Sequence, residues 1–211
     1  RDVKVVVVSG QDSSFCAGFD LNDFMNPDPE WGVRESADLG RLMAEAVTNM
    51  NALTIAAIQG HCIGGGLVIA ISCDLRIAAE SAVFSIPEVD LGIPLAWGGI
   101  PRLVREIGPA ATKELVLTCR RFYPEEAKSL GLLNAVVPDS DLAAHVDAMA
   151  MSLAAKPGYS LRTTKQQVNA VTEEMIGTAR NANDADSLVI ATYDAESRAA
   201  SAAYLKSKNK G

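Results

Sequence analysis

Thr54–Asp74 reads TIAAIQGHCIGGGLVIAISCD, and the rest of the chain is organised around it. Thr54–Ile58 is a continuous apolar run of strand length, Gly66–Ser72 reads as an apolar helix, and Gly64-Gly65-Gly66 marks the turn between them. The first N–H groups of a helix have no acceptor within it and lie at its positive end, so this corner can face a ligand oxygen. Close packing of strand on helix accounts for three glycines equally well. A dinucleotide fingerprint would need glycine where Ile69 stands, and the Gly-Lys-Ser/Thr of a phosphate loop is missing.

The totals narrow the classes of function. The chain has 211 residues, 48% of them apolar and 21% charged, which suits one folded domain with a full core rather than a disordered segment. A net charge of −7 argues against a general nucleic-acid surface. Ala46–Cys73 carries no formal charge, yet Thr48, Asn49, Asn51, Gln59, His61 and the glycines make it a soluble core rather than a membrane span. Cys16, Cys62, Cys73 and Cys119 form no CxxC pair, and with only His61 and His145 beside them no metal site is expected. Reduced thiols point to a cytoplasmic protein.

Working outward, Val3–Gly10 (VKVVVVSG) is a β-branched run without alternation, the pattern of a strand covered on both faces. A chain opening on such a strand is expected to lack an N-terminal piece. Arg34–Met50 reads as a helix with Leu39, Leu42, Met43, Ala46, Val47 and Met50 on its apolar face. Leu75–Ala79 and Ala82–Ile86 are short strands. The prolines of Pro87–Pro94 make that segment a loop, and helices follow at Ile100–Ile107 and Ala110–Leu117. Pro124 opens another helix, stopped at Gly131. Asn134–Val137 is a strand, and Asp139–Ala154, Ser160–Met175, Asp184–Thr192 and Asp194–Lys206 are helices.

Three stretches could carry chemistry, each with a plainer alternative. The glycine corner is the first. In Phe15–Leu21 (FCAGFDL), Cys16 lacks a neighbouring base and reads as a packed thiol, while Ala17-Gly18 would let backbone approach a ligand. Glu88 stands among Ile86, Pro87, Val89, Leu91 and Ile93, where burial would raise its pKa toward the range useful for proton transfer; an exposed loop acid is the other reading. No G-x-S-x-G elbow supports a triad of Ser72 with His61.

Taken in order, FCAGFDL, GHCIGGGLVIAISCDLRIA, FSIPEVDLGIPLAWGGIPRL, LTCRRFYPEEAKSLGLLNAVVP and DAESRAASAAYLKSK resemble the enoyl-CoA hydratase/isomerase (crotonase) superfamily over nearly the whole chain. The resemblance implies an α/β fold, the ClpP/crotonase-like spiral of ββα units, with a C-terminal helical trimerisation region. That places the spiral core at 1–137, its N-terminal hairpin region missing, and the helical region at 138–211. It also implies an acyl-CoA substrate, fatty acid metabolism, a homotrimer or a hexamer of two trimers, and no cofactor beyond the coenzyme A of the substrate. Carried over residue by residue, the oxyanion donors are the N–H of Phe19, after glycine in A-G-x-D, and of Gly65, the middle glycine. Glu88 is the acid/base, and Ala17, Gly18, Asp20, Leu21, Ile63, Gly64 and Trp97 border the substrate.

Two departures from the family pattern shape the expected activity. Family hydratases carry a second glutamate three residues after the oxyanion glycine, where this chain has Val68. One glutamate is the pattern of the family's Δ3-Δ2-enoyl-CoA isomerases, so isomerase is favoured; hydratase (a lyase) is the alternative, and a non-catalytic acyl-CoA binder a further one. The acid of the dienoyl isomerases corresponds to Ala96, and no halide-displacing aspartate can be placed. Trp97 stands where the family has a small residue, and either walls the acyl pocket or packs against a neighbour.

Overall fold

The computed structural model describes residues 3–20, 32–181 and 183–208. Among these residues six strands form two parallel sheets. β1 (Val5–Ser9), β2 (Leu53–Ile58), β4 (Leu75–Ala79) and β6 (Ala135–Val137) lie side by side in that order, while β3 (His61–Ile63) pairs with β5 (Val83–Ser85). Register is continuous: Val5 lies beside Leu53, Ile55 beside Leu75, Ile77 beside Ala135, and Cys62 beside Phe84. β2, β3 and helix α2 (Gly65–Ser72) make one ββα turn; β4, β5 and helix α3 (Gly99–Thr118) make the next, stacked on the first. This is the crotonase-like spiral.

Alternation along β2 divides the core. Ala56 and Ile58 face a large cluster with Val68, Ala70, Phe84, Leu103 and Phe122, whereas Ile55 and Ala57 meet Leu142 and Val146 of helix α5 (Leu142–Ala154) on the opposite face. Helix α2 is buried nearly all round, which explains its uniformly apolar sequence. Helix α1 (Val33–Thr48) packs beside it. The short helix α4 (Pro124–Ser129) has proline in its first turn, and Gly131, at φ +89°, turns the chain back with Leu132 N–H bonded to the Ala127 carbonyl. Helices α6 (Gly158–Met175), α7 (Asp184–Tyr193) and α8 (Ala195–Lys208) close the fold. Among the described residues, no helix is long and apolar enough to cross a membrane.

A buried polar node ties α6 to the core. The Asp74 carboxylate accepts from Thr54 N–H (2.7 Å), Thr54 Oγ1 (3.0 Å) and the Lys165 ammonium (2.8 Å), and Lys165 also donates to the Ala52 carbonyl.

The structure corrects three local expectations. β1 is only partly covered: Val5 packs on one cluster and Val8 on the opposite one, yet both stay half-buried and Val7 is exposed, because a β-branched run reports strand propensity and not depth of burial. The inner face of α1 is Gly40 and Ala44, with Leu39 and Leu42 turned outward, since α1 approaches its neighbours too closely for large side chains. β3 is a strand of three residues that the short run before the glycines did not suggest. Two helices flank Gly108 within α3, as the sequence suggested: the chain leaves helical geometry there, at φ +75° and ψ +166°.

Candidate active site

The site starts with a loop fastened to β3. Phe15 N–H donates to the Gln59 carbonyl (2.7 Å), Cys16 N–H to the His61 carbonyl (3.0 Å), and Ile63 N–H to the Cys16 carbonyl (3.0 Å). Cys16 thereby bridges to Cys62 as an added parallel strand residue. Gly18 follows at φ +98°, where a side chain would be strained and a Cβ would lie 3.0 Å from the Ile63 carbonyl oxygen. This fastening brings Phe19 to the mouth of the glycine corner.

Each glycine of the corner makes room for something different. Gly64 adopts φ +52°, ψ −118°, and a Cβ there would lie 2.5 Å from Glu88 Oε1. On Gly65 it would meet the Trp97 ring, 2.2 Å from Cζ3, and on Gly66 the Cys16 carbonyl oxygen at 2.3 Å. Gly64 N–H is bonded to the Ser85 carbonyl, and Gly65 opens α2, so its N–H has no acceptor inside the helix. Among the described residues, neither Phe19 N–H nor Gly65 N–H donates to a backbone carbonyl in the loops and turns.

Glu88 comes from the loop after β5. Its Oε2 is sealed from solvent and has no hydrogen-bond partner among the described residues. Burial pushes its pKa up to about 7, opposed only by its own backbone N–H, so it is a carboxyl poised to exchange a proton near neutrality. The loop is braced internally by Leu91 N–H to the Pro87 carbonyl and Ile93 N–H to the Glu88 carbonyl. It is also braced by α8: Ser201 Oγ donates to the Leu91 carbonyl, and Gly92 (φ +73°) lies so close that a Cβ would sit 2.3 Å from the Ser197 carbonyl oxygen.

These groups line one cavity of about 970 Å³. Of the residues expected at the site, Ala17, Gly18, Phe19, Ile63, Gly64, Gly65, Glu88 and Trp97 all border it. Asp20 is exposed and is not on its wall, and Leu21 lies outside the described residues. Val68, buried in α2, borders it at the position where a second acid would stand. Among the described residues Glu88 is the one carboxylate on the wall, and no cluster of histidine, cysteine and acid side chains could hold a metal.

The alternatives fare poorly. Ser72 Oγ donates to the Val68 carbonyl (2.7 Å), and exposed His61 lies 3.4 Å from Ser14 Oγ, so Ser72 and His61 do not pair. Burial pushes the Cys62 thiol well up and Cys73 to about 11, which makes them inert packing groups. Sequence reading missed the far wall of the cavity, which α1 supplies through Val33, Ser36 and Ala37 and α7–α8 through Leu188, Val189, Ala199 and Tyr204. Nothing local marks these residues; tertiary packing alone brings them there.

A parallel ββα spiral with a fastened A-G-x-D loop, a glycine corner and a buried loop glutamate defines a crotonase-type protein. A family model for enoyl-CoA hydratase/isomerase matches residues 1–210, and the chain belongs to that family. It is 36% identical over 194 residues to a crotonyl-CoA hydratase of Syntrophomonas wolfei, covering 91% of this chain and 74% of that one. Its fold is similar to the crystal structure of an enoyl-CoA hydratase from Bacillus anthracis (TM-score 0.76, 34% identity, 89% and 73% of the two chains). An enoyl-CoA hydratase/isomerase structure from Pseudoalteromonas atlantica superimposes with TM-score 0.86 at 26% identity, over 97% of this chain and 79% of that one.

Proposed function

We propose that this protein is an enzyme acting on an enoyl-CoA thioester through an enolate, with Glu88 as its only acid/base, and that it moves a double bond between the 3- and 2-positions. The thioester oxygen would sit between Phe19 N–H and Gly65 N–H. Removing a proton from C2 places negative charge on that oxygen, and two fixed donors at a helix start stabilise it where it develops, each contributing roughly 3 kcal/mol by comparison with other oxyanion holes. Glu88 takes the C2 proton and returns it to C4 of the dienolate, so one carboxyl completes the cycle and ends as it began. A raised pKa suits this task, because the carboxylate is a stronger base and its acid form remains accessible near pH 7.

The observation that carries the isomerase reading is Val68 on the cavity wall. Adding water across a double bond is helped by two groups that hold and activate the water, and Glu88 is the single wall carboxylate among the described residues. Hydration is the second reading, and the names of similar proteins favour it: hydratases are commoner among them than isomerases. A trimer, or a pair of trimers, belongs to the same proposal and would be read from sedimentation.

A product and deuterium-exchange assay on paired 2-enoyl- and 3-enoyl-CoA esters tests the proposal. Interconversion of the pair, abolished in Glu88→Gln with ester binding retained, is the expected result. Efficient hydration of crotonyl-CoA by the wild type would overturn the isomerase assignment in favour of the second reading. In that comparison Val68→Glu should gain hydration over a wild type that lacks it. Tight ester binding with no exchange at C2 would mark a binder rather than an enzyme.

A further inference from the structure

Trp97 occupies a slot made for it. A Cβ on Gly65 would lie 2.2 Å from its ring, and one on Gly40 of α1 would lie 1.9 Å from Cε2. Its ring also meets Phe19 edge-on, with centroids 6.1 Å apart at 74°. The indole therefore stands beside both proposed oxyanion donors, and two helices carry glycine where they meet it.

The backbone beneath the indole is fixed. Trp97 itself is left-handed at φ +59°, a conformation that bulky residues avoid, and Gly98 follows at φ +71°. Gly98 N–H donates to Asp184 Oδ2 (2.8 Å), and its carbonyl accepts from Arg102 Nη1 (3.1 Å). Arg102 is fully buried and also donates through Nη2 to Thr48 Oγ1 (3.2 Å). A Cβ on Gly98 would be 2.3 Å from Arg102 Nη1 and 2.5 Å from Asn181 Nδ2, so the backbone that follows the indole is hemmed in.

Polarity decides which end of a thioester meets this wall. Leu95 and Ala96, the residues that precede Trp97, border the cavity with it, as does Val68 of α2, and none of these carries a charge. The cation on the wall, among the described residues, is Arg198 on α8. An acyl-CoA has an apolar tail at one end and phosphates at the other, so the tail belongs against the indole.

We propose that Trp97 is the immobile end wall of the acyl pocket and confines the protein to short-chain acyl thioesters, excluding medium-chain ones. The proposal rests on the thioester reading above and assigns a specificity-determining residue within it. A pocket that ends at a rigid wall gains affinity with each methylene until the tail reaches the wall, then loses it.

Dissociation constants of free CoA and of the saturated butyryl, octanoyl and decanoyl esters, measured by calorimetry on wild type, Trp97→Ala and Trp97→Phe, test this without requiring turnover. The expected result is wild-type affinity best for butyryl-CoA and at least about tenfold weaker for decanoyl-CoA. Trp97→Ala should reverse that order, and Trp97→Phe should shift the limit part of the way. Affinity rising steadily from butyryl to decanoyl in the wild type would overturn the wall and leave the thioester reading intact. So would an unchanged order of esters in both folded variants. If no ester binds more tightly than free CoA, the thioester reading and the wall both fail. If Trp97→Ala does not fold, the wild-type series together with Trp97→Phe still decides: an unshifted limit in Trp97→Phe overturns the assignment to Trp97.

Discussion

Replacing Glu88 with glutamine should end catalysis and remove a loss of stability that wild type suffers as pH rises. Burial raises the Glu88 pKa from an ordinary value near 4.5 to about 7. The folded protein therefore holds this proton more tightly than the unfolded chain does. Its favourable contribution is fully present below pH 4.5, declines as pH rises to about 7, and is gone above that. At about 1.4 kcal/mol per pH unit the gap amounts to ~3 kcal/mol. Glutamine does not titrate, so the stability of Glu88→Gln minus that of wild type should grow by ~3 kcal/mol between about pH 4 and pH 8. Any fixed cost of burying the amide beside Gly64 cancels in that comparison. For a chain of this size the growing gap corresponds to roughly 6–12 °C in Tm. Urea unfolding of both proteins across that range is the assay, and parallel stability–pH curves would refute the buried, uncompensated carboxyl. In wild type the same group should make kcat/KM for a 3-enoyl ester rise with pH through about 7, as the base loses its proton.

Other positions give separate tests. Gly65→Ala sets a methyl against the Trp97 ring, and with the ring held in place the backbone carrying a proposed oxyanion donor must shift, so kcat/KM should fall by about 10²–10³ while circular dichroism stays native. Lys165→Met leaves the Asp74 carboxylate with only its Thr54 bonds; because Asp74 keeps some water contact, about 2 kcal/mol of stability should be lost, measured by urea melts, with turnover per folded molecule unchanged. Gly92→Ala places a side chain at φ +73° against the Ser197 carbonyl, at a conformational cost of about 1–2 kcal/mol before the clash is counted. Hydrogen exchange should then quicken in α8 and catalysis should drop with it.

Much of this was legible because backbone constraints leave local marks. Gly64, Gly65 and Gly66 are required by a positive φ or by what presses on them, and Glu88 sits in a loop whose prolines and apolar neighbours foretell burial. Gly131 and Pro124 bounded α4 for equally local reasons. What was not legible depended on partners distant in the chain. The large apolar residues of α1 suggested the wrong inner face, because it is the indole of Trp97, far along the chain, that demands Gly40 there. Likewise the tail was legible as helices, but not that Leu188 and Tyr204 would wall the same cavity as Phe19. Val68 could be read either way from sequence; its place on the cavity wall is what gives its lack of charge a chemical meaning.

The seating of Gly92 on Ser197, with Ser201 bonded to Leu91, has a consequence for how the protein is made. Strands that lie near one another in sequence can pair while the ribosome is still at work, since domains form progressively during synthesis. The loop holding Glu88, however, takes its support from residues far later in the chain. A nascent chain can therefore own its glycine corner and its glutamate long before either is usable. Until α8 emerges, the loop that carries Glu88 lacks the support of Ser197 and Ser201, so the last helix of the described chain completes a site whose chemistry was laid down in its first half.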